Sequence, residues 1–135
     1  MSIKDNKAII RRLFDEVFNQ GNMEVIDELV AEDVSGQDAA IDETRTIDAF
    51  RKVVVLFRTA FPDASYTIHD LIGESDRVVA RWSLIGTHRG TFLDLSPTEK
   101  RVIVNGIIIY RLEDEKIVEY WGEFDQLGLM RQLSE

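Results

Sequence analysis

Residues 100–125 read KRVIVNGIIIYRLEDEKIVEYWGEFD. Apolar and polar side chains alternate on both sides of Glu113-Asp114-Glu115-Lys116, the pattern of two antiparallel strands, over 100–112 and 117–124, joined by a tight turn. With a loop of three residues after Glu113, Arg111 falls opposite Glu119, Ile109 opposite Trp121, Ile107 opposite Glu123 and Asn105 opposite Asp125. A slip of one residue sets Tyr110 opposite Glu119 and Asn105 opposite Phe124. The charge match of Arg111 with Glu119 favours the first register.

In that register one sheet face gathers Asn105, Arg111, Glu119, Trp121, Glu123 and Asp125 around Ile107 and Ile109. Polar groups converging among aromatics in the hollow of a curved sheet have the composition of a small-ligand site, and this face is expected to line one. A plainer alternative makes Arg111 and Glu119 a structural ion pair and Trp121 part of the core.

Upstream, the period of two recurs over 65–72 and 77–87, with Gly73-Glu74-Ser75-Asp76 as a hairpin turn and 90–98, which contains Pro97, as a longer loop. Before Pro62 the period is helical. Ile9, Ile10, Leu13, Phe14, Val17 and Phe18 form the apolar face of a helix over about 5–19, stopped by Asn19-Gln20-Gly21-Asn22. Val25, Ile26, Leu29 and Val30 do the same for a short helix over about 23–31. Phe50, Val53, Val54, Phe57 and Phe61 do so for a third over 47–61, ended by Pro62. The span 34–44 is weakly patterned and reads as irregular or as a short strand. Residues 127–133 are apolar enough to dock on the sheet or on a partner. Helices first and an antiparallel meander second make an α+β fold, with the helical layer over one sheet face.

At 135 residues, 44% hydrophobic and 30% charged, the chain suits one domain, 1–135, that buries roughly two-thirds of its unfolded surface. A formal charge of −9 repels phosphate backbones and anionic headgroups, so neither nucleic acid nor membrane is an expected partner. The lack of cysteine excludes disulfides, thiolate nucleophiles and zinc–thiolate sites. The opening MSIKDNKAIIRRLFDEV lacks the apolar core of a signal peptide, and nothing approaches the ~20 apolar residues of a membrane span. A cytoplasmic address is expected. No His-Glu-x-x-His, Gly-x-Ser-x-Gly, P-loop or dinucleotide fingerprint is present. Asp33, Asp38, Asp42 and Glu43 lack the spacing of a calcium loop. Neither metal nor cofactor is expected.

Asp125 is the strongest candidate for chemistry, because a carboxyl group at the sheet's end, partly desolvated by the apolar segment after it, gains an acid/base range. It serves equally well as the cap of a closing helical turn. His88, at a strand end beside the long loop, is placed to face a cavity mouth, whereas His69 reads as a surface or hydrogen-bonded histidine. Arg81 in mid-strand calls for an internal carboxylate, and Trp82 alternates with core positions.

Taken in order, Gly86-Thr87-His88-x-Gly90, Pro97-Thr98, Gly106 ahead of an apolar run, Tyr110-Arg111, Lys116-Ile117-Val118-Glu119-x-Trp121 and Asp125-Gln126-Leu127-Gly128-Leu129-x-x-Gln132-Leu133 resemble the SnoaL-like polyketide cyclase family, within the nuclear transport factor 2-like, ketosteroid isomerase-like superfold. The likeness spans the chain. It implies a cone-shaped α+β barrel, with three N-terminal helices packed into the concave side of a curved antiparallel sheet, a pocket between them, and often a homodimer formed through the sheet. It also implies ring closure by intramolecular aldol condensation without metal or cofactor, with an aspartate as acid/base, and Asp125 matches that aspartate's motif position. Two turns depart from the family: Asp114-Glu115-Lys116 stands for Asp-Gly-Lys, and Pro97-Thr98-Glu99-Lys100 for Pro-Thr-Gly-Lys. A glutamate where φ is positive costs ~1 kcal/mol or alters the turn.

The expected activity is therefore cyclase or isomerase chemistry on a small hydrophobic carbonyl-containing molecule. Asp125 is its acid/base, His88 and Asn105 orient a carbonyl, and Trp121, Phe14, Phe18, Phe57, Trp82 and Phe92 line the pocket. The competing expectation is a non-catalytic ligand-binding or dimerisation module of the same fold. Epoxide hydrolysis, known in the superfold, ranks below both, since its Asp-Arg-Asp arrangement is not evident.

Overall fold

The computed structural model describes residues 2–38 and 41–135, the side chains of 38 and 41–44 excepted. Helix α1, Ile3–Arg12, starts on a capping box in which the Asp5 N–H donates to Ser2 Oγ at 3.0 Å and the Ser2 N–H to the Asp5 carboxylate at 3.3 Å. It runs on into a π-helical stretch, Leu13–Asn19, whose wider turn keeps Leu13, Phe14 and Val17 buried together. Gly21, at φ +73°, ends the helical run in the left-handed region that glycine adopts freely. A single turn and a half follows as α2, Val25–Leu29.

The sequence reading extends α2 to 31, but the backbone is already extended at Val30, where strand β1, Val30–Asp38, begins. Strand β2 is Ile41–Thr44, so two strands occupy most of the weakly patterned span. Helix α3, Ile47–Ala60, is capped by Thr46, whose Oγ1 accepts from the Ala49 N–H at 3.1 Å. Then come β3, Ser65–Glu74, β4, Arg77–Thr87, β5, Arg101–Glu113, β6, Lys116–Phe124, and the closing helix α4, Gln126–Ser134.

The open, curved sheet has the order β2-β1-β6-β5-β4-β3. It is not wholly antiparallel, because β1 runs parallel to β6, from Val30 opposite Ile117 to Asp38 opposite Gly122. Buried Val30 and Val34 thereby cover an edge that β6 would otherwise expose. Gly36 permits the close approach: a Cβ there would lie 2.1 Å from Tyr120 Cζ. The register reasoned from Arg111 and Glu119 holds from that pair through Gly106 opposite Phe124, and the Asp125 N–H extends it by donating to the Asn105 carbonyl at 2.9 Å. The turn itself has two residues, Asp114 at φ 49° and Glu115 at φ 65°, with the extra residue taken up by an irregularity between the Arg111 and Leu112 pairs.

Successive strand residues point to opposite faces, and the helices cover the face that carries Ala80, Leu84, Val104, Tyr110, Leu112 and Tyr120. The other face, with Ile103 53% and Ile107 51% exposed, is the outer one. The core has two parts. One joins α1, the π-helical stretch, α2 and the first half of α3 to β4, β5 and β6 around Leu13, Val54 and Tyr110. The other gathers Ala60, Phe61, Phe92, Val102 and, from α4, Leu129 and Leu133, so the last apolar segment docks on the sheet. Gln132 fastens it, accepting from the Ile103 N–H and donating to the Ile103 carbonyl, each at 2.8 Å.

Candidate active site

Where the two halves of the core meet, a chamber of about 80 Å³ remains, bordered by Phe14, Phe18, Phe50, Val53, Val54, Phe57, Arg58, Tyr66, Trp82, Ile108, Tyr110, Tyr120 and Phe124. Nine of the chain's twelve aromatic residues, with all three tyrosines, thus share one wall. Their rings brace each other at centroid distances of 4.8 Å for Phe14 and Phe18, 5.3 Å for Phe18 and Tyr66, 5.8 Å for Tyr66 and Trp82, and 6.0 Å for Phe57 and Phe124.

Local sequence sets these rings in place. Asn19 clamps the π-helical stretch to β3, donating from Nδ2 to the Tyr66 carbonyl at 3.1 Å and accepting from the Tyr66 N–H at 2.7 Å. Gly106 gives the Trp82 ring its seat, since a Cβ there would stand 2.5 Å from Trp82 Cζ2. Arg58 is the one charged residue among those lining the chamber. Among the described residues, no carboxylate or imidazole lines it. Among the described residues, no group of three or more His, Asp or Glu is arranged to hold a metal ion, and no helix is long and apolar enough to cross a membrane.

Of the residues expected to line the pocket, Phe14, Phe18, Phe57 and Trp82 do so. Phe92 does not. It is fully buried behind the wall, 5.5 Å from the Phe57 ring and 5.7 Å from Phe61. Trp121 lies on the outer sheet face, where the Arg77 guanidinium stacks 5.0 Å above its ring.

The three residues expected to be catalytic are not on the wall either. Asp125 is exposed at the start of α4, and its carboxylate accepts from the Gly128 N–H at 2.9 Å. Asn105 is exposed on the outer face, and the two share an open groove there with Arg81, Ile107 and Glu123. His88 is fully buried away from the chamber. Its Nδ1 accepts from the Thr98 N–H at 3.2 Å and lies 3.0 Å from Thr98 Oγ1, and its buried Nε2 has no hydrogen-bond partner among the described residues. Backbone bonds from the His88 N–H to the Lys100 carbonyl and from the Glu99 N–H to the His88 carbonyl, both 2.9 Å, make it the anchor of the 90–98 loop.

The remaining polar candidates are held by neighbours. Arg111 donates to Glu119 at 2.8 Å and to Glu113 at 2.5 Å, and the Glu119 bond chiefly raises the guanidinium's pKa. Arg81 donates to Asp70 at 2.5 Å, and His69 Nε2 lies 2.8 Å from Ser83 Oγ. Of the acidic run, Asp33 is exposed, while the side chains of Asp38, Asp42 and Glu43 fall outside the described residues.

The polar register of the last hairpin was read correctly and assigned to the wrong face. A sheet under a helical layer turns its apolar parity inward, and on β5 and β6 that parity carries Ile108, Tyr110, Tyr120 and Phe124. Those four, with Phe50, Val53, Val54, Arg58 and Tyr66, are the lining residues that sequence reasoning did not single out. The signal was the concentration of tyrosine and phenylalanine at positions facing the helices.

A model of the family described as SnoaL-like polyketide cyclase matches residues 8–133. No curated protein matches. Among solved structures, a candidate SnoaL-like polyketide cyclase from Jannaschia sp. CCS1 superposes with a TM-score of 0.92 at 23% identity, over 99% of this chain and 95% of that one, a likeness of fold. AclR, a candidate hydroxylase from Streptomyces galilaeus, gives 0.87 at 25% identity over 98% of each chain. IdmH, a candidate polyketide cyclase from Streptomyces antibioticus, gives 0.83 at 27% identity over 96% of this chain and 99% of that one. With 126 consecutive positions from 8 to 133 under one family description and the curved α+β architecture in common, the chain belongs to the SnoaL-like polyketide cyclase family.

Proposed function

We propose that the protein acts on a compact, hydrophobic, carbonyl-bearing molecule held in the aromatic chamber, by cofactor-independent ring closure or isomerisation of the intramolecular aldol type. The observation that carries this reading is the commitment of nine of twelve aromatic residues to one cavity wall. Rings braced against each other hold a flexible substrate in one folded conformer, and such preorganisation removes up to roughly 7–11 kcal/mol of barrier.

In the reaction, a carbon next to a carbonyl gives up a proton to solvent water, the resulting carbanion bonds to a second carbonyl carbon, and the new alkoxide takes a proton back from the hydronium so formed. Product and substrate are isomers. The polar side chains among the lining residues are Tyr66, Tyr110, Tyr120 and Arg58, and the Arg58 guanidinium is the donor able to hold an enolate or alkoxide oxygen. At about 80 Å³ the chamber is small beside the roughly 300–1,000 Å³ of sites that take drug-sized ligands. A one-ring substrate is its size class.

A second reading, a non-catalytic ligand-binding module, is supported by the engagement of Asp125 as a helix cap. In either case a homodimer through the outer sheet face fits its exposed Ile72, Ile103 and Ile107.

Trp82 reports on the chamber. In a Trp121→Phe background it is the sole indole, and titration with acetophenone is expected to quench its fluorescence saturably. Val54→Phe, which fills the cavity from α3, abolishes the quenching. A 1,5-diketone is then followed for conversion to its cyclic ketol. Quenching that persists in the filled variant overturns the assignment of the chamber, and saturable binding without conversion decides for the second reading.

A further inference from the structure

We propose that the chamber selects an anionic ligand, a single aromatic ring bearing a carboxylate whose oxygens meet the guanidinium of Arg58. The inference rests on the chamber being the ligand site, and it deepens that reading by fixing the ligand's charge.

Arg58 is half-buried on α3 and borders an otherwise uncharged, largely aromatic wall. Among the described residues it makes one hydrogen bond, from Nη1 to the Phe18 carbonyl at 2.9 Å. A guanidinium has five N–H donors, so most of its capacity is uncommitted. Among the described residues no carboxylate lies within salt-bridge distance of it. Arg12, Arg51, Arg81, Arg89 and Arg111, by contrast, each have at least one acidic partner. In a chain of charge −9 with twenty-five acidic residues, a half-buried arginine without such a partner is the exception.

The seat is built for this side chain. A Cβ on Gly21 would lie 2.6 Å from Arg58 Cζ, so glycine there both permits φ +73° and leaves room for the guanidinium. The Phe18 bond holds the planar group from one side. Charge complementarity then names the ligand, because a guanidinium in an apolar, partly desolvated wall pairs best with a planar oxyanion, which it grips through two parallel N–H···O bonds. The overall negative charge would slow entry of such an anion, and the arginine supplies the local attraction that offsets it.

The test is titration of wild type, Arg58→Gln and Arg58→Lys with benzoate, benzamide and acetophenone, read by Trp82 fluorescence in the Trp121→Phe background and by calorimetry. Wild type is expected to bind benzoate at least about tenfold more tightly than benzamide, with the preference shrinking as salt rises. Arg58→Gln brings the two to parity while retaining benzamide affinity, which also shows the fold intact. Arg58→Lys keeps part of the preference. Equal binding of benzoate and benzamide by wild type, or a preference that survives in Arg58→Gln, overturns the inference and leaves Arg58 as a cap on the Phe18 carbonyl. Should Arg58→Gln not fold, a wild-type benzoate affinity indifferent to salt overturns it and a salt-sensitive preference supports it. If no one-ring probe binds wild type, both the inference and the reading of the chamber fall, whereas acetophenone binding without a benzoate preference removes the inference alone.

Discussion

The Asp125 carboxylate and the Gly128 backbone N–H are joined at 2.9 Å, across the first turn of α4. A Cβ on Gly128 would lie 2.1 Å from Asp125 Oδ2, so the glycine is part of the same cap. The motif Asp125-Gln126-Leu127-Gly128 therefore encodes a helix start, whatever else it does.

Asparagine caps a helix as well as aspartate, and alanine does not. Asp125→Asn is expected to leave the unfolding temperature nearly unchanged, and Asp125→Ala to cost about 1 kcal/mol. Because Asp125 is exposed and outside the chamber, turnover of the 1,5-diketone is expected to be the same in Asp125→Asn as in wild type. Loss of turnover at unchanged stability would return the acid/base role to this carboxylate and its outer groove.

His88 is an anchor rather than a proton shuttle at the site. Removing it opens a hole beside Phe61 and leaves the Thr98 N–H without its acceptor. His88→Ala should lose about 2–4 kcal/mol in urea unfolding, with proteolysis appearing first in the 90–98 loop. Acetophenone binding at a temperature where the variant is folded should match wild type.

Glu115 holds φ at 65°, a conformation that glycine adopts freely and other residues at a cost. Glu115→Gly is expected to stabilise the protein by about 0.5–1 kcal/mol, measured as a raised denaturation midpoint at constant slope. A lower midpoint would mean that the glutamate side chain gives more than the turn takes.

The Asp63 carboxylate accepts from the Thr87 N–H and from Thr87 Oγ1, both at 2.7 Å. The backbone bond, then the hydroxyl, hold its pKa below the ordinary 3.8. A depressed folded-state value stabilises above the unfolded pKa and is lost as pH falls through the folded one. Asp63→Ala should thus be less stable than wild type at neutral pH, by under about 1 kcal/mol for so exposed a pair. That difference should narrow below about pH 4. A difference independent of pH would show that the charge is not the cause.

Much of the fold was legible because each element repeats its own period. Phe50, Val54 and Phe57 marked α3, and the alternation from Arg77 to Thr87 marked β4 at the bounds observed. What stayed hidden was long-range pairing. Nothing local in Val30–Asp38 announces a strand, because the partner that makes it one is β6. The site was half legible for a related reason. Phe14, Phe18, Phe57 and Trp82 follow from amphipathic spacing, but the choice between the two faces of β5 and β6 depends on where the helices lie, and the polar parity of Asn105 and Arg111 drew attention outward. His88 was misplaced because a strand-end position does not reveal that the following loop folds over the ring.

The parallel junction between β1 and β6 ties the first third of the chain to its last strand. More than half of the polypeptide, residues 39–115, lies between those two partners before they meet, which gives the molecule a high contact order and a slow closing step. During synthesis the helical layer waits, its apolar side uncovered by that part of the sheet, until residues beyond 117 have left the ribosome. Nascent chains arrested before that point should bind chaperones, and mutations that weaken the β1–β6 seam should lower cellular yield more than they lower the melting temperature of what has already folded.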